Sequence, residues 1–192
     1  MKTIARTLLL LLAPSFTVAA IAQHHAFTVN PAASSVAFSL GATGHTVHGV
    51  FHVESGTVDF DRGTPQMSGS IVVSAASGDS GDKGRDKKMH NDVLDVAHFA
   101  DVTFAPHSYQ GSIAASGDST IQVTGTFTLH GAPHEITVPM QLHIDGANLT
   151  AKGKFSVPFV KWGLKDPSVM FLKVAKDVDV ELDLTGSVTP AS

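Results

Sequence analysis

The chain is 192 residues long, 43% hydrophobic and without cysteine, and it carries 13 Lys and Arg against 17 Asp and Glu. Thiol catalysis, thiolate metal sites and a disulfide scaffold are thereby excluded, so the fold must rest on a buried core, which one domain of this size can supply. An acidic balance repels phosphate backbones and speaks against nucleic-acid binding.

In chain order the first element is an export signal. Lys2 and Arg6 precede the apolar run Leu8 to Ala13, and Ala20-Ile21-Ala22 offers a small-x-small cleavage site before Gln23. The expected division is a signal peptide at 1–22 and a mature domain at 23–192, periplasmic or secreted. Cleavage lowers Lys plus Arg from 13 to 11 against 17 acidic residues, a balance of −6. No later segment reads as a membrane span, because Asp, His, Gly or Pro interrupts each apolar run.

Short period-2 segments follow. Strands are predicted at Phe27 to Val29, Ser35 to Leu40, His45 to Glu54, Thr57 to Phe60 and Met67 to Ser74. After a polar gap come Asp101 to Pro106, Ser108 to Ala114, Thr120 to His130, His134 to Asp145, Asn148 to Val157 and Asp177 to Val188. Turn-forming Gly, Pro, Asn and Asp mark the breaks, as in Gly131-Ala132-Pro133 and Asp145-Gly146-Ala147-Asn148. The exception is Ser77 to His98, a Gly/Ser/Asp loop leading into a short helical segment near 85–98 that is expected to cross one end of the sheet.

The alternation gives each strand one dry face. Ile121, Val123, Gly125, Phe127 and Leu129 oppose Gln122, Thr124, Thr126 and Thr128, and Val178, Val180, Leu182 and Leu184 oppose Asp177, Asp179, Glu181 and Asp183. The same reading sets Val47, Gly49, Phe51 and Val53 against His48, Val50, His52 and Glu54. The expected fold is all-β: one antiparallel barrel of about eight strands, whose interior is either filled or holds one small ligand. Gly49, Gly125, Ala151 and Gly153 among the inward positions lean toward a cavity, but a glycine on a barrel strand more often marks a bend or a close approach than a cavity wall, so a cavity needs other support.

Three blocks carry a family resemblance. Gly84-Arg85-Asp86 through Phe99-Ala100-Asp101-Val102-Thr103-Phe104, Val123 to Gly131 with Ile136-Thr137-Val138-Pro139-Met140, and Trp162-Gly163-Leu164-Lys165-Asp166-Pro167 with Phe171-Leu172 together resemble the YceI-like family of exported lipid-binding proteins. The resemblance implies an extended, lipocalin-like antiparallel barrel around a long apolar tunnel for a polyisoprenoid or similar lipid, and a binding rather than an enzymatic role. The lining would come from Phe38, Leu40, Phe51, Val72, Phe104, Phe127 and Leu129, and from Met140, Leu142, Phe155, Phe159, Trp162, Met170 and Phe171. Arg85 and Asp86 are candidates to meet a head group at the rim, or to form an ion pair. Ser77-Gly78-Asp79-Ser80-Gly81-Asp82-Lys83 departs from the family pattern as a more polar loop. A chain of roughly forty carbons would withdraw on the order of 800 Å² of apolar surface from water, about 20 kcal/mol gross, most of it offset by immobilisation and by the lipid's preference for its own membrane. No cofactor is expected beyond a bound isoprenoid or fatty-acyl lipid; transient membrane contact and pairing of two barrels are compatible with this reading.

Other signals are weaker. Gly78-Asp79-Ser80-Gly81 matches the nucleophile string of chymotrypsin-like proteases, but no Ala-Ala-His-Cys block accompanies it and no Gly-x-Ser-x-Gly elbow is present. The alternative function is exported Cu or Zn binding by the 11 histidines. His48 and His52 would lie about 13 Å apart on a strand, too far for one ion, whereas His130 and His134 flank a turn and can converge. A Gln23-His24-His25 terminus would present a square-planar nitrogen set suited to Cu(II), with His25 as the imidazole ligand.

Overall fold

The computed structural model describes residues 24–190, so the predicted export signal and Gln23 lie outside the described residues. The strands are β1 (His24–Val29), β2 (Ser35–Ala42), β3 (His45–Phe51), β4 (Val53–Asp61) and β5 (Met67–Ser74), followed by β6 (Asp101–Gly111), β7 (Gly117–Leu129), β8 (Ala132–Asp145), β9 (Asn148–Val157) and β10 (Val178–Pro190). One helix, α1 (Lys83–Lys88), runs into a wider helical turn at Met89–Leu94.

The strands form one antiparallel sheet in the order β1-β4-β5-β6-β7-β8-β9-β10, closed by pairing of β10 back onto β1. Strands β2 and β3 complete the wall in an unusual way. β10 pairs with β1 along Gly186–Pro190 and with β2 along Asp179–Asp183, and β1 and β2 run in the same direction along it. They are one wall position interrupted at Pro31, which has no N–H for the ladder. The chain takes a single 3-10 turn at Pro31–Ala33, with Asn30 Oδ1 accepting from the Ala32 N–H at 3.1 Å, and then resumes as β2. β3 and β4 likewise occupy one position, broken only at His52. Hence the segment read as one strand, His45 to Glu54, is two, and Thr57 to Phe60 belongs to the second.

Two further boundaries differ from the sequence reading. β6 is continuous where two strands are expected, because a bulge between Pro106 and Ser108 absorbs the break. β1 starts at His24 rather than Phe27, its polar beginning held against Asp61 and Phe60 of β4.

The predicted dry faces point inward. Ile121 and Leu184 are 2% exposed and Val138 1%. The acidic outer face of β10 is matched by register: Lys154 stands opposite Glu181 and Lys152 opposite Asp183, with N–O distances of 2.7 and 2.8 Å. Between β7 and β8 the chain reverses on His130 and Gly131, both with positive φ (52° and 74°), the geometry that tight hairpins demand.

The two ends of the barrel differ. At one, Phe27, Phe60, Ile113, Ile144 and Leu149 are buried together, and the Tyr109 hydroxyl donates to the Asp61 carbonyl at 2.7 Å. Burial first, then the nearby Asp61 charge, push the Tyr109 phenol above its ordinary value and keep it a donor. At the other end lie the two long connections, residues 75–100 and 158–177.

Candidate ligand cavity

The barrel encloses a cavity of about 650 Å³ whose walls are almost wholly apolar. That volume falls inside the range of roughly 300–1,000 Å³ typical of small-molecule sites. Its polar lining is concentrated at the end of the two long connections, where His45, Ser80, Asp82, Arg85 and Lys88 face it. This end is the mouth.

Most of the wall comes from strand positions set by parity. Phe38, Leu40, Phe51, Phe104, Phe127, Leu129, Met140, Leu142 and Phe155 all line the cavity, each on the inward face of its strand, and Phe159 lines it from the connection beyond β9. Phe127 meets Phe155 edge-on with ring centroids 5.8 Å apart, and Phe38 tilts against Phe51 at 5.4 Å.

Four expected lining residues lie elsewhere. Val72 is out of phase: its neighbours Ile71 and Val73 line the cavity, and Val72 shares the parity of Ser68 and Ser70. That signal is present in the sequence. Trp162 stacks flat on His134, centroids 3.9 Å apart and planes 5° from parallel, and backs Phe127 at 5.9 Å. The backbone N–H of Trp162 donates to the Pro158 carbonyl and that of Leu164 to the Phe159 carbonyl, a turn that gives the inward place to Leu164, 4% exposed. Met170 and Phe171 project into solvent, 82% and 88% exposed.

The inward glycines do not widen the cavity; they are the close approaches that a glycine on a barrel strand more often marks. A Cβ on Gly49 would lie 2.4 Å from the Phe38 ring, one on Gly125 2.5 Å from the Ala105 carbonyl, and one on Gly153 2.4 Å from Met140 Sδ. None of the three lines the cavity; Ala151 does.

Arg85 and Asp86 do not pair with each other among the described ion pairs; they bracket Ser80. Arg85 Nε donates to Ser80 Oγ at 2.8 Å and Nη2 to the Ser80 carbonyl at 2.7 Å, while Asp86 Oδ1 accepts from the Ser80 N–H at 2.9 Å and from its hydroxyl. The hydroxyl bond above all, resisted by some burial, holds the Asp86 carboxyl below its ordinary value. α1 starts from Asp82, whose side chain caps the Arg85 N–H at 2.8 Å. The unexpectedly polar loop also supports the sheet, since Asp79 and Val50 exchange backbone hydrogen bonds of 2.9 Å and cover part of the free edge of β3. Several mouth residues carry no periodic signal, among them Ser80, Lys88, Val93, Leu94 and Val174.

His130 packs on Phe99 at 4.2 Å and His134 on Trp162 at 3.9 Å, so the two imidazoles that flank the turn each have a different aromatic partner. His52 lies between strands, its N–H bonded to Ser77 Oγ. His25 sits in β1 between Phe60 and Pro190 and meets the Phe60 ring edge-on at 5.5 Å. Burial, and secondarily the Arg62 charge, lower its pKa. A chelate through that imidazole and its amide would have to draw the strand out of the sheet. Among the described residues no three His, Asp or Glu side chains come together as a metal site.

Known proteins resemble the chain throughout this architecture. Residues 27–186 match the YceI-like domain family. A UPF0312 protein of Pseudomonas fluorescens (strain SBW25) is 30% identical over 143 residues, 70% of this chain and 72% of the relative. One from Shewanella sp. (strain MR-4) is 29% identical over 180 residues, 91% of this chain and 90% of the relative. Among solved structures, BcnA of Burkholderia cenocepacia superposes with a TM-score of 0.67 at 24% identity, covering 82% of this chain and 99% of that one. A polyisoprenoid binding domain from Saccharophagus degradans, implicated in plant cell wall breakdown, does so with a TM-score of 0.64 at 14% identity, covering 85% and 98%. At these identities the structures establish a shared barrel, and the match across residues 27–186 establishes kinship: the chain belongs to the YceI-like domain family.

Proposed function

We propose that this protein is an exported, non-enzymatic lipid carrier that holds a polyisoprenoid or similar long apolar chain inside its barrel. The observation that carries the reading is the enclosed, apolar cavity of about 650 Å³, walled by strand residues and open at a polar mouth. Dry walls select a ligand by length and shape, and Arg85 and Lys88 at the mouth suit a head group left near water. The polyisoprenoid-binding neighbour of the same fold supports the ligand class. A binding role rather than catalysis is supported by the hydroxyl at the mouth, since Ser80 is held by Asp86 and Arg85 and not by a histidine base. Export rests on the leader-like residues 1–22 of the sequence.

The test is organic extraction of protein purified without detergent from its exporting host, followed by mass spectrometry. A stoichiometric isoprenoid or fatty-acyl species is expected, together with a mature terminus at Gln23 by terminal sequencing. A clean extract from folded protein would overturn the carrier reading.

A further inference from the structure

Phe171 and Met170 stand at 88% and 82% exposure, with Val169 at 51% and Leu172 at 40% beside them. Four consecutive large apolar side chains in water form a patch of the kind that marks an interaction site. They are held there. Val169 and Leu172 exchange backbone hydrogen bonds of 3.0 Å, which makes Met170 and Phe171 the tip of a tight hairpin. Its base is fastened to the end of the barrel: the Thr43 N–H donates to the Lys173 carbonyl at 2.9 Å, the Lys173 N–H to Thr43 Oγ1 at 2.9 Å, and the Ala175 N–H to the Gly41 carbonyl at 2.8 Å. The tip therefore cannot fold back onto the barrel without breaking this fastening. Pro167, Val169, Leu172 and Val174 also line the cavity, so the tip rises where the cavity opens.

The connection that carries it runs against the charge of the chain as a whole, which is net −4. Residues 158–177 carry Lys161, Lys165, Lys173 and Lys176 against Asp166 and Asp177, a surplus of two cations, whereas the other connection at the mouth, 75–100, is nearly balanced, with Lys83, Arg85, Lys87 and Lys88 against Asp79, Asp82, Asp86, Asp92 and Asp95. Lys165 and Lys176 lie 4.0 and 3.9 Å from Asp92 and Asp166, while Lys161 and Lys173 are outside any ion pair among the described residues. An apolar tip on a lysine-rich connection, with Lys173 at its base, combines the two attractions that hold a protein at a bilayer surface, burial of side chains among acyl chains and attraction to anionic head groups.

We propose that the Val169–Leu172 tip inserts into the surface of a bilayer bearing anionic lipids and seats the cavity mouth against it. This rests on the carrier reading for its purpose, since it assigns the route by which a lipid enters and leaves. The lysine stems lie along the apolar surface while their ammonium groups meet the head groups.

The experiment is flotation of the purified protein with vesicles of phosphatidylcholine, with and without phosphatidylglycerol, beside the double variant Met170→Ser, Phe171→Ser, with a portion of each protein extracted for bound lipid before any vesicle is added. Neither replaced side chain lines the cavity, so the variant is expected to fold and to keep its extracted lipid. The protein is expected to float with the anionic vesicles, less so as salt is raised, and the variant to lose at least about tenfold in partitioning. Equal flotation of the two, or none by either, would overturn the docking assignment even if lipid is extracted from both. Tip-dependent flotation with a clean extract would uphold the docking and sink the carrier reading instead. A dimer in sedimentation that the double variant abolishes, without vesicle binding, would give the tip to a second copy and overturn the assignment.

Discussion

Phe38, Phe104 and Phe127 are assignable to the interior from sequence because each sits in an alternating run, and a strand allows only two directions for a side chain. Val72 departs from its expected place although Ser68 and Ser70 give its parity, while Gly125 is the close approach that a barrel-strand glycine more often marks, though the atom it approaches is invisible in a single strand. Replacing Gly125 by Ala sets a methyl 2.5 Å from the Ala105 carbonyl and 2.7 Å from Pro106 Cα, backbone atoms that cannot swing aside. Overpacking of this kind costs about 1–3 kcal/mol, to be read as a lower denaturant midpoint at unchanged slope. Asp86 supplies a pH test. Its folded pKa is lowered, so the stabilisation is complete above the unfolded value of 3.8 and is lost as pH falls through the still lower folded value. Protection of the Ser80 amide against hydrogen exchange should fall over that acid range, and Asp86→Asn should show lower protection already at neutral pH with no such step.

Among elements, the loop before α1 is the least expected. Read from its composition it is a polar insertion, yet it covers part of the β3 edge through Asp79 and shapes the mouth through Ser80. Asp79→Pro removes the N–H that donates to the Val50 carbonyl at 2.9 Å. The expected loss is about 0.5–1.5 kcal/mol, seen as faster exchange at Val50 and a rise in aggregation once that edge is unpaired. Unchanged exchange at Val50 would show that the bridge is dispensable. The 158–177 connection is legible in the sequence only as a source of large apolar residues. Without a period, the direction of Trp162 or Phe171 depends on which local turn its backbone bonds close and, for Phe171, on where the hairpin is anchored, which bonds between distant residues such as Thr43 and Lys173 decide.

For the molecule as a whole, the proposed carrier role depends on one end being closed by packed side chains and the other open. Tyr109→Phe removes the hydrogen bond to the Asp61 carbonyl at the closed end, a cost of about 0.5–1.5 kcal/mol that should appear as a lower Tm in calorimetry. Removing a bound lipid should lower Tm further, because a ligand held only by the folded barrel stabilises it by mass action. The carrier reading thus predicts a Tm that falls on delipidation and recovers when an isoprenoid lipid is restored. A Tm indifferent to delipidation would argue for a barrel that holds nothing.

Strand-period alternation was enough to decide that this chain closes a barrel, which faces of most strands turn inward, and that the wall is apolar. Those follow from the geometry of a pleated strand and from the cost of leaving one face in water. Only the tertiary structure decided that β1 and β2 share one wall position, that three inward glycines are contacts rather than open space, and which end is the mouth. It also placed Met170 and Phe171 outside and Leu164 inside. These outcomes turn on pairings across the barrel and on backbone hydrogen bonds between distant segments, interactions whose partners a local pattern does not contain.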